Sequence, residues 1–402
     1  MKEKNQTKKI IGIVILSLFA AFLLFSGGCY FGYRFGREFL PPSYIKNASN
    51  DQEKSIDFSL FWQTWNKVRE TYIGDSDPEK MLYGAISGMV NSLGDPYTVF
   101  LTPEESRKLS EDLSGEFEGI GAELSMKDGK IVIVAPLSGS PAEKSGLKGK
   151  DVILEIDGET TANLTIDGAI DKIRGAAGSV VKLTIQREGN AAPLEFSITR
   201  EKISVPSVKY ETKTSGSKKI AVLKISQFGD DTQELLDKFA KEIVAAKVDG
   251  IVVDLRDNPG GYLDTAISAS SLFLESGKVV VIESDKNSGK KEYKSSGETV
   301  LENLSVVILV NGGSASAAEI FAGALKDNGR AKLVGEKTFG KGSVQEIEPL
   351  LGGSSLKVTI AKWLTPSGTE INKVGITPDF VVAASENSDA DPQLDKAVEL
   401  LK

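Results

Sequence analysis

Apolar positions along the chain repeat with different periods in different stretches, and each period predicts a different kind of element. Residues 10–33 form one uninterrupted run without a charged side chain, long enough to cross a bilayer core of about 30 Å. After a polar stretch with tandem prolines, apolar residues return at helical spacing: Phe58, Phe61, Trp62, Trp65, Val68 and Tyr72. "DPEKMLYGAISGMVNSLGD" predicts a second helix, with Asp77 as N-cap before Pro78 and Gly94 as its stop. From Gly115 to about Arg200, short β-branched runs alternate with Gly and Asp turns around one or two short helices, among them "TIDGAIDKIRG". From Val208 onward the pattern alternates strand ("KKIAVLKIS"), helix ("DDTQELLDKFAKEIVAA"), buried strand ("VDGIVVDLR"), helix ("LDTAISASSLFL") and buried strand ("LSVVILV"). Such alternation predicts parallel βαβ units around a buried sheet, with ligand sites at the C-terminal ends of its strands.

These periods divide the chain into a cytoplasmic tail (1–9), a transmembrane signal anchor (10–33), a linker (34–57), an N-terminal helical region (58–114), a strand-rich domain (115–200) and an α/β core with a C-terminal helix (201–402). Lys2, Lys4, Lys8 and Lys9 precede the apolar run, so the positive-inside rule keeps the N-terminus in the cytoplasm and places the rest outside. Arg34 and Arg37 oppose that bias, and no clear Ala-x-Ala site ends the run, which favours an uncleaved anchor over a signal peptide. Gly28, Gly32 and Gly36 recur at a spacing that suits packing of two membrane helices. The two amphipathic helices of 58–114 need a surface to cover, either the main body or a second subunit. After "GITPDFVV" the chain offers only the helix "PQLDKAVELLK", so no wall-binding domain is expected.

Composition narrows the chemistry. The 402 residues include no histidine, which excludes a Ser-His-Asp triad, a Cys-His dyad and a His-ligated zinc site. Cys29 is the single cysteine, so an intramolecular disulfide and thiolate-only metal sites are excluded as well. No cofactor or metal is expected. A formal net charge of −8 argues against a nucleic-acid partner.

The segment "NGGSASAAEIFAGALKDNG" (311–329) leaves a buried strand through small residues and enters a helix. That is the setting in which a backbone bends sharply and exposes a nucleophile beside free N–H groups; close packing is the competing explanation. "DLRDNPGG" falls at another predicted strand end on the same edge. With histidine absent, a buried lysine is the replacement base, because desolvation favours its neutral amine. Lys326, Lys332 and Lys337 have surface-like neighbours, whereas Lys341 lies between two glycines in "TFGKGSVQ" and can reach into a crowded cleft.

The strand-rich unit, with "GIGA" followed by "SPAEKSGLKGKDVILEIDG", resembles a PDZ domain. In such domains a peptide adds as a strand at the sheet edge, with its terminal carboxylate held by loop N–H groups; Gly119, Ile120, Gly121 and Ala122 would form that loop here. Arg174, just past the helix, would sense an occupied groove. "VDLRDNPGG", "NGGSASAAEIFAGAL", "GEKTFGKGSVQ" and "TPSGTEINKVGITPD" occur in the order found in the carboxyl-terminal processing proteases, and the resemblance runs from Phe58 to the C-terminus. It implies an α/β catalytic core related to the crotonase and Clp protease folds, with an inserted mostly-β PDZ domain; the N-terminal helices and the transmembrane anchor helix are read from the periods above. It also implies a serine endopeptidase with Ser316 as nucleophile, Lys341 as general base and Gln345 orienting the amine. The oxyanion hole would be Ala317 with Gly261, preferred to Gly260. Protein substrates with free, apolar C-termini and a possible homodimer follow from the same resemblance; the single-pass membrane location follows from the apolar run at 10–33.

Geometry sets a condition on Gln345. On a regular strand it would lie about 13 Å from Lys341, so a direct bond needs a bend, for which Gly342 is the candidate. Ser314 is the alternative nucleophile, with a turn hydroxyl as its other role. Asp254 and Arg256 are expected to pair structurally, whereas Glu319 resembles a catalytic carboxylate and fits compensation of a helix dipole equally well. Two rival functions are a catalytically inactive PDZ scaffold and a crotonase-like acyl-CoA enzyme.

Overall fold

A computed structural model describes residues 57–285, 289–297, 300–385 and 390–401; the apolar run 10–33 lies outside them. No helix among the described residues is long and apolar enough to cross a membrane. Helix α1 (Ser59–Thr71) has no buried residue. Its apolar side chains cluster on themselves, with the Phe61 ring 4.9 Å from Trp62 and 6.0 Å from Trp65.

Helix α2 (Pro78–Asn91) begins at the proline that the sequence marks. Strand β1 (Val99–Leu101) and helix α3 (Pro103–Ser114) follow. The start of α3 is fixed by a capping box: Thr102 Oγ1 accepts from Glu105 N (3.3 Å) while Glu105 Oε2 accepts from Thr102 N (2.8 Å). Gly115, at φ 68°, turns the chain out of α3.

The strand-rich unit comprises β2 (Glu116–Gly119), β3 (Ala122–Lys127), β4 (Lys130–Pro136), α4 (Pro141–Lys144), β5 (Val152–Ile156), β6 (Glu159–Thr160), α5 (Ile166–Ile173), β7 (Val180–Gln186), β8 (Leu194–Thr199) and β9 (Glu201–Ser204). Its sheet has the order β3-β4-β5-β7-β8, and β2 pairs separately with β9. Inward positions of these alternating strands, among them Ile131, Ile133, Ile153, Val181 and Ile185, make a core of their own. Strand β3 is an edge, and α5 packs beside it.

The core continues through β10 (Val208–Ser215), β11 (Lys218–Ile225), α6 (Thr232–Ala246), β12 (Gly250–Asp254), α7 (Leu263–Ser271), β13 (Val279–Asp285), β14 (Gly289–Lys294), β15 (Ser305–Val310), α8 (Ala317–Asp327), β16 (Ala331–Gly335), β17 (Ser343–Pro349), β18 (Ser355–Leu364), β19 (Phe380–Val381) and α9 (Pro392–Leu400). Six strands form one sheet in the order β10-β11-β12-β15-β16-β19, parallel except for β10 at its edge. Every residue of β12 is buried, as an uninterrupted apolar run in a two-sided parallel sheet should be. Helix α8 is buried from Ala317 through Leu325, so its Ala and Gly positions do serve close packing. Phe321 fills the remaining space between Phe228 and Phe273, with ring centroids at 5.9 and 5.6 Å.

A second sheet was not read from the sequence. Strands β1, β13, β14, β17 and β18 pair antiparallel. Most of β14, β17 and the first half of β18 are exposed or half-buried without alternation, so no clear period marks them.

Candidate active site

Strands β12 and β15 are parallel neighbours, and both end in a turn at the same edge. The turns are stitched together by two asparagines. Asn258, fully buried, donates to Ile225 O (2.8 Å), accepts from Gly260 N through Oδ1 (2.9 Å) and receives Ala315 N at its carbonyl (2.9 Å). Asn311 donates to Asp257 Oδ1 (2.9 Å) and accepts from Asp257 N (2.9 Å). Neither asparagine was singled out in the sequence; Asn311 directly precedes a glycine pair and Asn258 is separated from one by Pro259, which is the only signal either carries.

Ser316 caps α8 at φ 52° and ψ −116°, a region a non-glycine residue enters at a cost of about 1–3 kcal/mol. The fully packed helix behind it and the bonded turn in front overdetermine that conformation. The bend leaves Ser316 half-buried at the mouth of a cavity of about 380 Å³. Ser314 is instead fully buried, donating to Leu255 O (2.8 Å) and accepting from Asn311 N (3.0 Å). It is a turn hydroxyl.

The glycine turn lies against the serine. A Cβ on Gly260 would stand 2.8 Å from Ser316 Cβ and 3.0 Å from Ala317 N, and one on Gly261 would stand 2.2 Å from Phe228 O. The Gly260 N–H is taken by Asn258, which leaves Gly261 as the glycine donor beside the Ala317 N–H.

Among Lys326, Lys332, Lys337 and Lys341, only Lys341 shares the cavity with Ser316. Lys326 bonds Thr377 O (2.5 Å) and Lys332 pairs with Asp379 (3.5 Å). Burial holds the Lys341 amine below the usual lysine range; the nearby Lys357 cation lowers it further, and Glu319 opposes both. Its Nζ sits 5.4 Å from the centre of the Tyr97 ring, and no hydrogen bond joins it to Ser316. Gln345 does not reach Lys341 either. Its Nε2 donates to Ser343 Oγ (2.7 Å) and Thr359 Oγ1 (3.4 Å). The expected bend exists, but as a register shift between Val344 and Gln345; Gly342 instead permits close approach to Asn372, whose N would lie 2.2 Å from a Cβ there.

Glu319 does more than offset a dipole. It is fully buried, and its carboxylate accepts from Ser316 N (3.0 Å), Gly340 N (2.9 Å), Lys341 N (2.9 Å) and Thr338 Oγ1 (2.5 Å). Burial raises its pKa, and these donors pull it back. One carboxylate thereby fixes the backbone of Ser316 and of Lys341 together. The capping-box position, three residues after the serine, was the available signal. Asp254 and Arg256 pair with each other (2.7 Å) and Arg256 with Asp391 (2.9 Å), which pins the start of α9 to the end of β12.

In the strand-rich unit, Gly119, Ile120, Gly121 and Ala122 link β2 to the edge strand β3. Ile120 is buried, and Gly121 O accepts from Leu137 N and Ser140 Oγ, both at 2.9 Å. Arg174 ends α5 and lies over the Phe117 ring at 4.7 Å, reaching Asp112 (3.7 Å) and Glu111 (3.9 Å) of α3. Asp112 and Leu113 line the catalytic cavity. Gln227 Nε2 donates to Asp112 O and to Leu113 O (3.0 Å), and the adjoining Phe228 N donates to Gly260 O (2.8 Å).

Comparison with known proteins agrees with this organisation. Peptidase family S41 matches residues 219–382, the PDZ domain residues 109–186, and the activating protease CtpB N-terminal domain residues 22–105. The chain is 38% identical to carboxy-terminal processing protease CtpB of Bacillus subtilis over 86% of its own length and 71% of the relative's. It is 38% identical to the carboxy-terminal-processing protease of Bartonella bacilliformis, over 83% and 77%. The solved photosystem II D1 C-terminal processing protease superposes with a TM-score of 0.50 at 30% identity, covering 82% of this chain and 89% of that one. With this extent of similarity the chain belongs to the carboxy-terminal processing proteases, PDZ-containing serine endopeptidases of family S41.

Proposed function

We propose that Ser316 attacks the scissile carbonyl and that Lys341, as the neutral amine, takes its proton. The observation that carries this reading is the pairing, in one cavity, of a serine held at a strained helix cap with a lysine whose ammonium is disfavoured by burial. The tetrahedral oxyanion is received by the N–H groups of Gly261 and Ala317. Lys341 has to leave the Tyr97 ring to reach Ser316, and Gln345 has to leave Ser343 to bond the amine. The resting arrangement is therefore uncommitted.

The PDZ unit captures a substrate's C-terminus between β3 and α5, with the carboxylate at Gly119–Ala122. Arg174 links that event to the cavity: pairing with an incoming carboxylate releases Asp112, whose neighbours are tied through Gln227 and Phe228 to the Gly260–Gly261 turn. Residues 10–33 anchor the protease in the membrane with its catalytic part on the extracytoplasmic side, and the N-terminal helices support a homodimer. The test is turnover of an unfolded protein with an apolar C-terminus. Wild-type protein cleaves it and Ser316→Ala does not; cleavage by purified Ser316→Ala protein would overturn the assignment.

A further inference from the structure

The catalytic cavity is lined by a second lysine that the reaction as described does not use. Lys357 lies on β18 opposite Ile347 of β17 and Val99 of β1. Cross-strand neighbours share a face, and Ile347 and Gln345 line the cavity with it. Lys357 is half-buried, and it has no ion-pair partner among the described residues. We propose that Lys357 is a positioning residue for the reaction: its fixed charge, facing the same cavity, keeps Lys341 in the neutral form that accepts the serine proton. This rests on the reading of Lys341 as the base.

The groups that face Lys341 leave this task to Lys357. Tyr97, from the turn before β1, offers a ring rather than a charge. Tyr262, before α7, presents a phenol that burial and Asp230 keep protonated. Glu319, from α8, is the anion that would favour an ammonium, but four donors already share its carboxylate. Asp112, from α3, lines the cavity and is drawn towards Arg174. Lys357 is the cation that works against protonation of Lys341, in the manner of paired lysines where one cation activates the amine of the other. The sign follows directly. Removing the Lys357 charge raises the Lys341 pKa, so less neutral amine is present at any pH below it.

The experiment is the pH profile of kcat/KM for the full-length protein on one unfolded substrate, comparing wild type, Lys357→Met, Lys357→Arg and Lys341→Met, with thermal melts to verify folding. For Lys357→Met the acid limb is expected to move to higher pH by about half to one unit, a three- to tenfold loss below the limb that disappears above it. Lys357→Arg keeps the wild-type limb. A Lys357→Met profile lowered equally at every pH, or a limb displaced equally in Lys357→Arg, would overturn the proposal. Lys341→Met separates the two readings: if it is inactive while Lys357→Met is unshifted, only this inference fails; if it retains full turnover, the base assignment itself fails.

Discussion

The two halves of the catalytic cavity are built differently. The half that carries Ser316 stands on the parallel sheet, where β12 is buried at every residue and α8 through Leu325. Its two turns are bonded to each other through Asn258 and Asn311. The half that carries Lys341 stands beside the antiparallel sheet, where β17 is exposed from Glu346 to Pro349 and carries a register shift beside Gln345. There Lys341 and Gln345 make contacts outside the dyad. One half is closely packed and bonded; the other is more exposed and irregular.

The largest effects should come from removing either reacting group. Ser316→Ala and Lys341→Met are each expected to lower kcat by about ten-thousandfold or more, measured by single-turnover cleavage with both proteins folded. A smaller but still large loss is expected on the rigid side alone. Gly261→Ala forces a Cβ into Phe228 O at φ 140° and should cost about a hundredfold in kcat with little change in Lys341 titration. An equal displacement of the pH profile would show that the halves are not separate. Smaller again is the joint between them. Glu319→Gln replaces an acceptor of four donors with a group that must also donate, and should destabilise the fold by about 2–3 kcal/mol in urea unfolding. Unchanged stability would mean the two backbones are held by other means.

Much of the rigid half was legible in the sequence. The run "SVVILV" followed by "NGGSAS" marks a buried strand and a sharp exit, and the absence of histidine directs attention to a lysine. The PDZ strands alternate cleanly because one face covers a single small core. The antiparallel half was less legible, because β17 and much of β18 are exposed or half-buried along their length. Glu319 illustrates a different limit. Its position three residues past Ser316 reads as a cap, but its bonds to Thr338, Gly340 and Lys341 join residues that only the tertiary fold brings together. Lys357, which lines the cavity, and Tyr97, whose ring faces Lys341, were invisible for the same reason, since each comes from a strand or turn without a motif of its own. The anchor run at 10–33 lies outside the described residues, and the membrane reading rests on its length and its flanking lysines.

Labelling of Ser316 by a fluorophosphonate, followed as a rate against pH in wild type and in Lys341→Met, addresses the central claim most directly. Burial favours the neutral amine, so the labelling rate should fall on acidification through one ionisation below the ordinary lysine range, and Lys341→Met should label at least about a hundredfold more slowly. A rate independent of pH, matched by Lys341→Met, would contradict the account.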